Sequence, residues 1–130
     1  MGFEVLVVDD DVKLVEVLTA VLSSMGCDVT CVHSGAEALK LLDKRRYDLM
    51  LADLRMPKMD GVGLLKAVPL FQADARCVLM SAYITDESMA EARNNGVYDC
   101  LRKPFKLSEL SAVVERARAE SGQTQGPREE

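Results

Sequence analysis

Polar residues stand where four separate apolar runs of the chain stop. Asp9 and Asp10 follow Phe3–Val8, Asp53 follows Leu49–Ala52, Ser81 follows Cys77–Met80, and Lys103 comes shortly after Tyr98–Leu101. Aspartate is depleted within strands, so Asp53 at the mouth of one needs a cause. It either caps a turn or helix, satisfying loose backbone donors, or it is a carboxylate delivered to a site. Its companions decide what such a site could do. Three carboxylates gathered at one edge repel one another, and a hard cation such as Mg2+ is the natural means of keeping them ionised. A hydroxyl and an ammonium facing the same place are suited to hold the oxygens of a phosphoryl group on the central carboxylate. Taken singly, Ser81 could be a turn residue beside a helix and Lys103 a surface charge.

The chemistry depends on whether the fold brings these ends together. Residues 47–52 are apolar apart from Asp48 and run straight into Asp53, and the turn Met56-Pro57-Lys58-Met59-Asp60-Gly61 follows at once, the pattern of a buried strand. Phe3–Val8 is a β-branched strand ending in Asp9-Asp10-Asp11, with Asp11 an N-cap for a helix over Val12 to Met25 that Gly26 stops. A short strand over Cys27–Val32 precedes His33, which reads as a solvated or locally bonded residue. A capping box Ser34-Gly35-Ala36-Glu37 then opens a helix predicted to reach Arg46. After the central strand come a short helix from Gly61 to Val68 halted by Pro69, and a strand over Arg76–Met80. A helix from Thr85-Asp86-Glu87 to Asn95, a strand over Tyr98–Leu101 and a helix over Leu107–Ala119 complete the chain. Strand and helix alternate five times, which calls for a parallel sheet covered on both faces. In such a sheet, sites form at the carboxyl ends of the strands, near the point where strand order reverses.

Composition narrows the function classes. With 130 residues, 48% of them hydrophobic, the chain suits one domain with a real core. No apolar run is long enough to span a bilayer, and the N-terminus lacks the form of a signal peptide, so the expectation is a soluble cytoplasmic protein. The net charge of -5 argues against a nucleic-acid surface. Cys27, Cys31, Cys77 and Cys100 contain no CxxC pair and lie in apolar segments, where reduced cysteine acts as a small hydrophobe. Neither GxGxxG nor GxxxxGK[ST] occurs, which disfavours nucleotide binding. From about Ser121 the chain is polar and cannot bury a face.

Asp9-Asp10, Asp53 with Met56 to Gly61, Ser81-Ala82 and Lys103-Pro104-Phe105 resemble the motifs of the receiver domains of two-component response regulators, the CheY-like family, over roughly Phe3 to Ala119. The resemblance implies a doubly wound, five-stranded parallel α/β sheet of order 2-1-3-4-5, a flavodoxin-like three-layer sandwich. Residues 1–120 would be the receiver and 121–130 a polar tail or truncated linker. Asp53 would accept a phosphoryl group from a phosphohistidine on a sensor histidine kinase. Asp10, Asp53 and the backbone carbonyl of Arg55 would bind Mg2+, with Asp9 reaching it through water. Ser81 and Lys103 would bind the phosphoryl oxygens, and Lys103-Pro104 would be cis. The output surface would be the face of the fourth helix, fifth strand and fifth helix, acting on an effector domain after Glu130 or a downstream protein, with dimerisation on phosphorylation. The family implies a phosphoacceptor and no enzyme beyond weak self-catalysed phosphorylation and dephosphorylation.

Two departures from the family pattern bear on the switch. Where members usually carry an aromatic residue three positions before the lysine, this chain has Cys100, and Val97 stands where alanine is common. Tyr83, or Tyr98 on the same side of its strand as Cys100, could take over, or both could be half-buried surface aromatics. Cys100 also motivates a second reading, a phosphorylation-independent binding module of the same fold. A phosphotransferase or phosphatase with an aspartyl intermediate is a third, but its second catalytic acid would stand two residues beyond the nucleophile, where Arg55 is.

Overall fold

The computed structural model describes residues 2–56, 59–67 and 76–121. Pro57 and Lys58 of the turn after Asp53, the stop at Val68-Pro69 and the tail from Gly122 lie outside the described residues. The elements alternate strictly: β1 (Phe3–Val8), α1 (Val12–Ser24), β2 (Cys27–Val32), α2 (Gly35–Leu42), β3 (Leu49–Asp53), α3 (Gly61–Ala67), β4 (Arg76–Ser81), α4 (Asp86–Asn94), β5 (Asp99–Arg102) and α5 (Leu107–Glu120). All strand pairs are parallel, as the alternation of strand and helix requires, and the sheet order is β2-β1-β3-β4-β5, the order that the family resemblance implies.

Two apolar cores flank the sheet. Val15, Leu18 and Leu22 of α1 and Leu110, Val113, Val114 and Ala117 of α5 pack on one face. Ala38 and Leu42 of α2, Val62, Leu64 and Leu65 of α3 and Ala92 of α4 pack on the other. A central strand covered on both faces must be apolar throughout, and residues 49–52 are at most 1% exposed. Burying side chains of this size contributes about 1.5–3 kcal/mol each, so the sheet is a stiff platform for whatever its ends carry.

Register puts those ends level. Val8 pairs with Ala52, Asp53 with Met80 and Ser81 with Arg102. Order reverses between β1 and β3, so the exits of those strands border a crevice. The exit of β3 is further held by Gly61. Its N–H donates to the Leu54 carbonyl at 3.0 Å, and a Cβ there would lie 2.6 Å from the Asp53 carbonyl oxygen, so only glycine lets α3 start this close to the site.

The helix expected to run to Arg46 ends at Leu42. The N–H groups of Lys44 and Arg45 both donate to the Leu41 carbonyl at 3.0 Å, closing the helix as a turn. Tyr47 then enters the core, and Asp48 docks on β1 by accepting the Glu4 N–H at 2.8 Å and donating its own N–H to the Glu4 carbonyl. Tertiary pairing thus overrides Lys44, Arg45 and Arg46, three residues of good helix propensity. Cys31 is exposed on the edge strand β2, whereas Cys27 and Cys77 are buried as expected. Arg118, on the inner face of α5, is buried: its guanidinium donates to the Met25 carbonyl and the Cys27 sulfur at 3.0 Å and to Glu115 at 3.2 Å. It ties the end of α5 to the end of α1, a role that its spacing on the helix did not reveal.

Candidate functional site

The last residues of β3 and β4 and the loops after β1 and β5 bring Asp53, Ser81, Asp9, Asp10 and Lys103 to one edge of the sheet. One carboxylate oxygen from each of Asp9, Asp10 and Asp53 lies within 4.8 Å of the others. Asp9 is fully buried, Asp53 is nearly so and Asp10 is exposed. Backbone geometry aims the acids: Asp9 Oδ1 accepts the Asp11 N–H at 2.9 Å, and Asp53 Oδ1 accepts the Arg55 N–H at 3.1 Å. Asp11 caps α1 as expected, accepting the Leu14 N–H. His33 is exposed, and its ring bonds across to the exit of β1, with Nδ1 3.1 Å from the Asp9 carbonyl oxygen. The Ser34 hydroxyl caps α2 by accepting the Glu37 N–H, while Glu37 reaches back to the N–H of His33.

Lys103 partly offsets the carboxylate repulsion from within. Its ammonium donates to Asp9 Oδ2 at 2.8 Å and to Asp53 Oδ2 at 3.3 Å. Burial pulls the lysine's pKa down, but Asp9 and Asp53 outweigh that and leave it raised. Burial raises the Asp53 pKa and the charge of Asp9 adds to the effect, while the Arg55 N–H and Lys103 oppose them; the net direction is up. A carboxylate almost wholly withdrawn from water beside an ammonium and two further acids is poised to take up a compensating positive charge.

Ser81 is in place but turned aside. Its hydroxyl donates to the Tyr83 carbonyl and accepts the Tyr83 N–H, both at 3.0 Å, and its own carbonyl accepts the Lys103 N–H at 2.8 Å. Lys103-Pro104 is cis. Arg55 and Tyr83 meet above the edge, with the guanidinium carbon 5.7 Å from the ring centroid. Their pairing could not be read from sequence, since it joins two loops that only the sheet order makes neighbours.

The expectation for Tyr98 is corrected. The residue precedes β5, so the alternation that would place it beside Cys100 does not apply. It packs against the α1/α5 core, whereas Cys100 packs against the opposite one. Its hydroxyl donates to Glu120 at 2.6 Å and accepts from Arg116 at 3.1 Å, and Arg76 and Arg116 both lie over its ring.

Comparison with known proteins agrees with this geometry. The family model of the response regulator receiver domain matches residues 5–115. The DNA-binding transcriptional regulator NtrC of Escherichia coli (strain K12) is 37% identical over 122 residues, 94% of this chain and 26% of its own length. The chain spans about a quarter of the length of the curated relatives it matches. In structure, a CheY-like receiver domain protein from Methanospirillum hungatei JF-1 superposes with a TM-score of 0.88 at 21% identity, covering 94% of this chain and 98% of that one. The receiver domain of the sensor histidine kinase PA1611 from Pseudomonas aeruginosa PAO1, solved with a magnesium ion in its active-site cleft, gives 0.81 at 30% identity over 92% of this chain and 99% of its own. No helix among the described residues is long and apolar enough to cross a membrane. With the sheet order, the acidic edge and these matches in agreement, the chain belongs to the response regulator receiver domain family.

Proposed function

We propose that this chain is a phosphorylation-switched receiver in which Asp53 accepts a phosphoryl group from a phosphohistidine of a sensor histidine kinase. The observation that carries the reading is the Lys103 ammonium 3.3 Å from Asp53, inside a set of three carboxylates within 4.8 Å of one another. An Asp53 oxygen attacks phosphorus, the new O–P bond forms as the P–N bond breaks, and the imidazole nitrogen leaves with the electron pair. Lys103 lies where it can contact a transferred oxygen, and Ser81 can do so by giving up its two bonds to Tyr83. The acids are also a hard-oxygen donor set: Asp10, Asp53 and the Arg55 carbonyl would hold Mg2+ with Asp9 through water, as the PA1611 receiver's own magnesium encourages. Bound there, the cation would offset the charge on the phosphoryl oxygens. The resulting added charge biases a two-state equilibrium that is read out on the face of α4, β5 and α5.

Residues 1–120 form the receiver in this reading, consistent with α5 ending at Glu120, and 121–130 a polar tail or linker. The greater length of relatives such as NtrC supports an effector domain after Glu130, and dimerisation on phosphorylation and a cytoplasmic setting go with the reading. Incubation with a small acyl phosphate and Mg2+ should add one phosphoryl group by intact mass, and a chelator should reduce uptake more than tenfold. Absence of uptake would favour the phosphorylation-independent binding module.

The Arg55–Tyr83 pair sets an expectation for lifetime. The two residues border a groove of about 200 Å3 between the starts of α3 and α4. A hydrolytic water needs an in-line approach to phosphorus, and neither side chain is a carboxylate or amide suited to orient it. The phosphorylated form should therefore persist. Arg55→Asn with Tyr83→Ala should hasten its decay about tenfold, roughly 1.4 kcal/mol of barrier. Decay followed after removal of the phosphodonor checks this, and equal rates in parent and double variant would show that the pair does not guard the site.

A further inference from the structure

Beneath α4 lies a narrow cavity that the phosphoryl chemistry does not use. Ser81, Leu79, Ile84, Met89 and Cys100 line it, and at about 10 Å3 it has room for one water. Cys100 gives it a small, partly buried side chain where a bulkier one would fill the space. The Ser81 hydroxyl forms part of the wall, pinned by its two bonds to Tyr83. Those bonds also fix the next residue, Ile84, half-buried beside the cavity.

Neither tyrosine is placed to enter. Tyr83 is 69% exposed and lies against Arg55. Tyr98 packs on the other side of the sheet, its hydroxyl bonded to Glu120 and Arg116. We infer that Ile84 is the moving group of this receiver's switch: when Ser81 turns from Tyr83 to a phosphoryl oxygen on Asp53, Ile84 drops into the cavity beside Cys100 and draws the start of α4 toward β5. This rests on Asp53 as the phosphoacceptor. The sizes agree. A water-sized void, enlarged by the departing hydroxyl, takes the end of an aliphatic side chain and excludes an aromatic ring. The first turn of α4 can follow as a unit, because Thr85 and Ser88 bond one another reciprocally across it, Ser88 N–H to Thr85 Oγ1 and Thr85 N–H to Ser88 Oγ, both at 3.0 Å. Release of Ser81 frees Tyr83 and Ile84 from their anchor, and burial of the aliphatic group favours the new position.

Ile84 is the only isoleucine of the chain, so isoleucine-methyl labelling gives a single reporter. Beryllofluoride with Mg2+, a stable phosphoryl mimic, should shift that methyl signal and bring new NOEs to Cys100 and Leu79. Shifts at the Asp53 and Arg55 amides without any change at the methyl would overturn the inference while leaving the phosphoacceptor reading intact. No amide shifts would remove both. Cys100→Leu should fill the cavity, hold the methyl in place and weaken binding of the mimic about tenfold; unchanged affinity counts against the inference. Ile84→Ala should still bind the mimic at Asp53 but lose more than half of the amide shifts in α4 and β5, and full-sized shifts there would overturn it.

Discussion

Asp53→Asn is expected to take up no phosphoryl group from an acyl phosphate under conditions that phosphorylate the parent. Three acids share the edge, and their surroundings decide which of them reacts. Asp9 is fully buried, with one oxygen accepting the Asp11 N–H and the other held by Lys103. Asp10 is exposed, and among the described residues no hydrogen bond orients its carboxylate. Asp53 combines partial access with an oriented carboxylate: Oδ1 is fixed by the Arg55 N–H while Oδ2 faces Lys103, which can stabilise charge developing on the transferred group. An amide of the same shape keeps the packing and lacks the nucleophile. The loss should exceed about a thousandfold, roughly 4 kcal/mol of barrier. Intact-mass spectrometry after exposure to the donor and Mg2+ reads it directly. A variant that still gains the group would transfer the role to Asp9 or Asp10.

Much of this site could be read along the chain because each part of it ends a strand. Apolar runs that stop at Asp9, Asp53 and Ser81 are strong local signals, and the alternation of strand and helix dictates that parallel strands present those ends together. What sequence could not supply were relations between loops. That Lys103 bridges Asp9 and Asp53, that Ser81 is turned to Tyr83, and that Arg55 lies against Tyr83 all depend on distances across three or four strand exits. The helix predicted to reach Arg46 failed for a related reason, since the pairing of Asp48 with Glu4 outweighs local propensity. Strand alternation has no force at Tyr98, because β5 begins one residue later, at Asp99.

Lys103→Ala should destabilise the metal-free domain far more than a surface lysine would, and Mg2+ should restore much of the loss. The Asp9 carboxylate is wholly buried, and among the described residues Lys103 is the cation bonded to it. Removing one partner of a buried pair leaves an uncompensated charge, which costs about 3–5 kcal/mol when the pair is dry. The Lys103 side chain is 20% exposed, so water screens part of the interaction and about 2–3 kcal/mol is expected. Asp53 acts in the same direction, because with the ammonium gone its charge and that of Asp9 face one another unopposed. For a domain of this size the change corresponds to a melting temperature lower by about 10 °C in chelator. A divalent cation at the same acids replaces the missing charge, so added Mg2+ should raise the variant's melting temperature more than the parent's. Phosphoryl uptake should persist at a reduced rate, since the nucleophile is untouched but the ammonium no longer steadies the developing charge, while the amide shifts that uptake produces in α4 and β5 shrink because the ammonium no longer meets the new charge. Equal melting temperatures for variant and parent in chelator would mean that Lys103 does not hold the acidic edge together, and the role assigned to it at the phosphoryl oxygens would lose its structural basis.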